Sequence, residues 1–262
     1  MKLNAVLAPF SRIRLYLTPR RRTQIFYVAV SALMALGIFQ SVRQYRETQY
    51  VNQVARNITS QAGSKDTMAT VVALRDYLRQ NVKRNSFPAS GRPFLRNTAA
   101  EILASGRGRC GESTRAFINM AAGFGIPARR LYLDGQRSHV VALVTLDNNQ
   151  QVIVDSSDRF YFRDIEPLAS FSRHAEFDSY SSFNRHRIIF GFGSNTFNFG
   201  PLNYFLENPN ALMALMFMGL AFGCTALKLL RHRVRSWRKR GEVVGLAANE
   251  WQTASAASSA SA

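Results

Sequence analysis

Two long uncharged runs stand out from an otherwise mixed pattern of apolar and polar positions. Thr23 to Val42 reads TQIFYVAVSALMALGIFQSV, and Pro209 to Leu227 reads PNALMALMFMGLAFGCTAL. A bilayer core of about 30 Å takes about 20 helical residues at 1.5 Å rise, so each run can span. Buried core helices are the alternative, but soluble helices seldom stay apolar around their whole circumference for this length. A cleaved signal peptide is a further alternative for the first run. It is longer than a usual h-region, and no small-x-small site follows it. The pattern therefore predicts transmembrane helices at 23–42 and 209–230, with one domain at 43–208 between them.

Within that domain the period changes. Gln44 to Ser60 reads as a polar juxtamembrane helix, and Gly63-Ser64 breaks the chain. Asp66 to Lys83 is an amphipathic helix with Met68, Val71, Val72, Leu74, Leu78 and Val82 near one face. Asn85 to Arg92, with Pro88, Gly91 and the adjacent Pro93, is a loop. Thr98 to Glu101 matches a capping box and opens a short helix that ends at Gly106. A helix from Cys110 points Phe117, Ile118, Met120 and Ala121 at a core and stops near Gly123 or Gly125, before Pro127. Strands follow at Arg129–Asp134, His139–Leu146 and Gln151–Asp155, the last two joined by the turn at Asp147-Asn148-Asn149. Helices followed by an antiparallel meander make an α+β domain with its core at 66–165. From Ser156 to Asn208 the periodicity fades and aromatics crowd in, as in core or membrane-interface packing. After Arg240 the small, polar composition predicts a disordered tail.

The formal charge of +18 suggests nucleic acid until its distribution is followed. Lys2, Arg12, Arg14, Arg20, Arg21 and Arg22 crowd residues 1–22 without an acid, and seven cations from Lys228 to Arg240 do the same. Both clusters abut the apolar runs, where the positive-inside rule places them. The expected topology has basic cytoplasmic tails at 1–22 and 231–262, an inner or plasma membrane location, and a periplasmic or extracellular domain. The lipid bilayer is then the first partner, with other membrane proteins as candidates, and no nucleic acid is expected. Residues 43–207 hold 21 Lys and Arg against 14 Asp and Glu, a mild bias towards anionic partners.

Cys224 lies inside the second run and Cys110 in the domain, so a disulfide framework is excluded. A lone thiol outside the cytoplasm is an oxidation liability, and its presence there invites a chemical explanation. Cys110 opens a helix directly after Gly106-Arg107-Gly108-Arg109. The helix terminus and the arginines favour the thiolate, the form that attacks. A small buried hydrophobe is the plain alternative. His139 opens a strand and Asp155 ends the next one, so the hairpin brings them together. They read either as base and orienting acid or as a half-buried strand histidine and a strand-end cap. A metal held by Cys110, His139 and either His174 or His186 fits no compact zinc spacing, and no cofactor is expected. Glu112 reads as a first-turn dipole partner.

Residues 101–158 resemble the transglutaminase-like superfamily. The resemblance rests on G-R-C-G-E at Gly108 to Glu112, G-I-P-A-R at Gly125 to Arg129, the His139 strand and the Asp155 strand end. It implies a papain-like fold in which Cys110 is nucleophile, His139 base and Asp155 orienting acid. Where that family commonly has tryptophan two residues after the histidine, this chain has Val141, and no second oxyanion donor is evident among Ala100 to Gly108. The expected function is a membrane-anchored cysteine enzyme that cleaves or transfers an amide acyl group outside the cytoplasm. Its substrate would be a peptide or other amide, with an anionic envelope polymer as a further candidate. The alternative is a catalytically silent domain that serves as scaffold or accessory subunit of an envelope assembly, such as one for surface polysaccharide export.

Overall fold

Proline at its first position and a run of good helix formers carry the first helix well past the apolar segment. In a computed structural model, which describes residues 18–63, 66–84, 97–181 and 203–259, α1 runs unbroken from Pro19 to Gln61. It thus joins the apolar run to the polar helix that follows. Short helices come next: α2 (Thr67–Asn81), α3 (Ala99–Ser105) and α4 (Cys110–Ala122). The strands are β1 (Ala128–Gly135), β2 (His139–Thr145), β3 (Gln151–Val154), β4 (Glu166–Pro167) and β5 (Phe177–Ser181), with a 3-10 turn at Leu168–Arg173. Two helices complete the chain, α5 (Asn203–Glu207) and α6 (Pro209–Ser259). The expected loop at 85–92 and the aromatics Phe183, Phe190, Phe192, Phe197 and Phe199 lie outside the described residues, as does His186.

The chain divides into two units, Phe39–Ala214 and the remainder. Two helices, Arg20–Gln61 and Pro209–Trp237, are long and apolar enough to cross a bilayer. Large apolar side chains such as Val28, Leu220 and Phe222 face outward, an arrangement that suits a lipid surface. In the sequence, the Gly219-xxx-Gly223 spacing and the small residues Ser31, Ala32 and Ala35 suggest that the two apolar helices pack through these positions. The structure uses other residues for that contact. A Cβ at Gly219 or Gly223 would meet no atom within 4 Å, and Ser31, Ala32 and Ala35 are exposed. Instead the less exposed stripes run through Phe26, Val30, Leu33 and Gly37 on α1 and through Met218, Ala221, Thr225 and Lys228 on α6. The Lys228 ammonium lies 4.0 Å over the Tyr27 ring and 4.2 Å over that of Phe26. Beyond Arg240 the backbone stays helical to Ser259, where a disordered tail is expected. The alanines of that tail carry the highest helix propensity of any residue.

The unit Phe39–Ala214 is the α+β domain. Its five-stranded antiparallel sheet has the order β4-β3-β2-β1-β5. β4 and β5 come from the aromatic region where alternation fades. Central β2 is buried on both faces. Val140, Ala142 and Val144 turn to one side; Ala142 and Val144 pack with Val71, Leu74 and Leu78 of α2, Ile102 of α3, and Phe117 and Met120 of α4. Val141 and Leu143 turn to the other side and meet Leu131, Leu133, Ile153, Phe162, Phe171 and Phe177. Met68, expected on the inner face of α2, is exposed, while Thr70 takes a buried place there.

The approach to α4 is fixed by caps. Thr98 and Glu101 form the reciprocal capping box of α3. Gly106 ends that helix with φ 61°, and a Cβ there would stand 2.9 Å from the Asn81 carbonyl. Only glycine fits such a turn without strain. The chain then runs beside the end of α2, with Lys83 N–H donating to Gly106 O at 2.9 Å and Gly108 N–H to Lys83 O at 3.0 Å. Glu112 accepts from the Arg109 N–H at 2.9 Å, so its carboxylate closes the start of α4 at the positive end of the helix dipole.

Candidate active site

Cys110 is the first residue of α4 and is partly exposed. His139 is the first residue of β2. Thr114, one turn into α4, ties the two elements together: its hydroxyl donates to the Val140 carbonyl at 3.0 Å and to Cys110 O at 2.8 Å. Val154 pairs with Ala142, so the next residue, Asp155, falls across from Val141. Period-2 alternation then puts its carboxylate on the same sheet face as His139. The His139 Nε2 to Asp155 Oδ2 distance is 2.8 Å. With Nε2 committed to Asp155, Nδ1 is the ring nitrogen left for Cys110, and the thiol and this imidazole lie close enough to shift each other's pKa. The three expected residues are thus brought together.

The carboxylate is fully buried and its lone pairs are filled. Besides His139, it accepts from Ser157 N–H at 3.2 Å, Ser157 hydroxyl at 2.8 Å and Tyr161 N–H at 2.8 Å. Burial pushes the Asp155 pKa up; hydrogen bonds from His139, Tyr161 and Ser157 and the imidazole charge outweigh it, so it lies below the ordinary value. For His139, burial favours the neutral ring. Hydrogen bonds with Asp155 and Cys110, and then their charges, overcome that and raise it to about 9. Burial likewise pushes the Cys110 thiol up, and the hydrogen bond and charge of His139, with backbone hydrogen bonds from Val140 and Gly111, bring it below its ordinary value. Of the influences the sequence suggests (the helix terminus, Arg107 or Arg109, and His139), His139 is the chief one that lowers it. Together these shifts favour a thiolate–imidazolium pair.

Aromatic rings enclose the imidazole. Tyr161 stands edge-on with centroids 4.9 Å apart, and Phe177 stacks at 6.4 Å. Val141 lies fully buried in the core beneath. The rings that screen His139 therefore come from beyond Asp155, where the sequence shows only scattered aromatics.

Arg79 is a site residue that the sequence reading misses. It looks like an ordinary last-turn cation of α2. In the structure its guanidinium donates to three carbonyls: Asp155 O at 2.8 Å, Phe162 O at 2.6 Å and Arg163 O at 2.8 Å. It also lies 4.1 Å from the Phe160 ring centroid. The segment so clamped carries Ser157 and Tyr161, the donors to Asp155. Arg79→Lys keeps the charge but loses the planar fork. It should lower the rate of a Cys110-dependent reaction about 10- to 100-fold by loosening the geometry. The same variant should move the pH profile of Cys110 alkylation towards that of a free thiol. An unchanged profile in a folded Arg79→Lys protein would show that the clamp does not reach the pair.

No cluster of three His, Cys, Asp or Glu suited to a metal occurs among the described residues. His174 turns to Glu166 instead, at 3.1 Å.

A family model matches part of the chain. Residues 52–156 match the transglutaminase-like superfamily. The matched segment runs from α1 to just past Asp155, and so contains Arg79, Cys110 and His139 as well. Solved structures similar to the chain include a candidate cysteine protease from Cytophaga hutchinsonii, at 14% identity over 55% of this chain and 48% of that one, TM-score 0.37. A candidate protease from Parabacteroides distasonis shares 18% identity over 49% of this chain and 26% of that one, TM-score 0.35. Calcium-bound LapG of Legionella pneumophila shares 14% identity over 50% of this chain and 80% of that one, TM-score 0.38. This chain thus spans about half the length of the first and a quarter of the second. No curated protein matches the sequence.

Proposed function

We propose that this transglutaminase-like domain is a thiol enzyme, held at a membrane by α1 and α6, that transfers the acyl group of an amide outside the cytoplasm. The observation that supports this best is the alignment of Cys110 and His139 with the hydrogen-bonded, saturated carboxylate of Asp155. The Cys110 thiolate attacks the amide carbon, a C–S bond forms, and the carbonyl oxygen takes the negative charge. The backbone N–H of Cys110, at the start of α4, is available to that oxyanion. Imidazolium passes its proton to the leaving nitrogen as the C–N bond breaks, which leaves a thioester. Water or an amine then attacks the thioester while His139 takes its proton, and the thiolate departs. Asp155 keeps the imidazole oriented and stabilises its charged form throughout.

The test uses the full chain in membranes with Cys224→Ala, so that one thiol remains. A peptidyl acyloxymethyl ketone should label Cys110 covalently, and Cys110→Ser should abolish the label while the protein stays folded. Protease added to spheroplasts should digest residues 43–207 and spare a tag at residue 262, as the basic tails require. A folded protein that resists the probe would favour the accessory-subunit role, and digestion of the tag with the domain protected would reverse the topology.

A further inference from the structure

We infer that the Cys110 site takes an acidic peptide, one with carboxylate side chains flanking the amide that is attacked. This rests on the proposed function and adds the substrate class. Four stretches of backbone border the Cys110–His139 pair. Gly106–Arg109 leads into α4, and Lys83-Arg84 is hydrogen-bonded alongside it. Arg84 N–H donates to the Asp158 carboxylate at 2.9 Å, which joins that edge to Ser156–Arg163. Gly135–Ser138 leads into His139, and its Arg137 donates to the Tyr161 hydroxyl at 3.2 Å, above the imidazole.

These 18 residues hold Lys83, Arg84, Arg107, Arg109, Arg137, Arg159 and Arg163, all exposed, and one acid, Asp158. Residues 43–207 as a whole have 21 cations and 14 acids, so six of the seven excess positive charges border the site. Widening the border to Asp134, Asp164, Glu112 beside Arg109 and Glu176 beside Arg137 still leaves seven cations against five acids. Six of the seven are arginine, whose planar fork pairs with carboxylates in bidentate fashion. A thiolate needs an amide to acylate, and an acidic peptide supplies amide and carboxylates in one chain. A polyanion without amides gives it nothing to attack. The field of the rim would also draw such a peptide to the site, an effect that salt screens.

The experiment compares anionic iodoacetate with neutral iodoacetamide on Cys110 in the full-length Cys224→Ala protein, at about 10 mM ionic strength, where the Debye length is about 30 Å. Arg84→Gln, Arg107→Gln and Arg159→Gln together should lower the ratio of the iodoacetate rate to the iodoacetamide rate about 3- to 10-fold, since any change in the thiolate fraction affects both reagents alike and only the anion feels the lost charges. A circular dichroism spectrum like the parent's reports that the triple variant is folded. In the parent protein alone, 0.5 M salt should lower that ratio by a similar factor, which covers the case of a variant that fails to fold. Oligoglutamate peptide should protect Cys110 from iodoacetamide in the parent and not in the triple variant. Labelling by both reagents, with a rate ratio indifferent to the arginines and to salt, would overturn the rim and leave the proposed function standing. Protection by alginate but not by oligoglutamate would overturn the peptide assignment. Labelling by neither reagent would sink the proposed function and this inference together.

Discussion

His139→Ala should move the pH dependence of Cys110 alkylation upward, past that of an ordinary thiol, and cut the acyl-transfer rate by about 10³-fold or more. Both effects follow from what remains when the imidazole is gone. Burial is the largest influence on the Cys110 thiol and pushes its pKa up; the hydrogen bond and charge of His139 are what outweigh it. Their removal leaves the burial and only the weaker backbone donors. The leaving nitrogen also loses its proton source. Iodoacetamide kinetics from pH 5 to 10 in the Cys224→Ala background would measure the shift. Asp155→Asn should act in the same direction and more mildly, since an amide can still hold the ring but cannot balance its charge. An alkylation profile that His139→Ala does not move would reduce the pair to a chance neighbourhood and favour the accessory-subunit role.

The same shifts set how the pair bears on folding stability. His139 is raised from 6.5 to about 9. Its contribution is therefore complete below 6.5 and lost as the pH rises through about 9. Cys110 is lowered from 9.0, so its contribution is present above 9.0 and lost as the pH falls towards its folded value. Wherever the folded pair is thiolate and imidazolium while the unfolded chain holds thiol and neutral imidazole, the two pH slopes oppose each other, because folding then moves a proton from sulfur to imidazole without binding or releasing one. Asp155, lowered from 3.8, adds stability above that value and loses it in acid.

Much of this domain is legible along the chain because its elements are locally consistent. The Thr98–Glu101 box, the glycine after α3, the β2 hairpin and the start of α4 each follow from short-range rules. Cys110, His139 and Asp155 all sit at element ends, which is why their spacing can be read. Arg79 lies 76 residues from its Asp155 partner, and nothing near it in sequence marks it as more than a surface cation. β4 and β5 are short and irregular, and the aromatic density around them hides the alternation that would reveal a strand. Gly219 and Gly223 mislead for a different reason. A GxxxG spacing permits close helix approach without requiring it, and here the less exposed stripe of α6 passes through Ala221.

Glu207→Gln should destabilise the domain by about 3–5 kcal/mol, a large share of the 5–15 kcal/mol typical of a folded protein. Glu207 closes α5 just before the second apolar helix. Its carboxylate accepts from Arg130 Nε at 2.7 Å and Nη2 at 2.6 Å, and lies 3.4 Å from Arg115 Nε. All three residues are buried; Arg115 is only 1% exposed. Arg115 belongs to α4, the helix that Cys110 opens, and Arg130 to β1, so one carboxylate ties α5 to both elements. Burial alone would lower the Arg130 pKa, and the charge and hydrogen bonds of Glu207 outweigh it and raise it. An amide at 207 could still accept hydrogen bonds, but two guanidinium groups would face each other without a counter-charge in a site closed to water. Thermal unfolding of the full chain should show a fall in Tm of roughly 6–20 °C for a domain of this size. Replacing Arg115, Arg130 and Glu207 together with methionine should recover most of that loss, because a well-packed apolar cluster often equals or exceeds the ion cluster it replaces. A Glu207→Gln protein as stable as the parent would mean that water reaches the cluster, and the anchoring of α5 would then rest on Asn208 and its 2.9 Å hydrogen bond from Gln44 of α1.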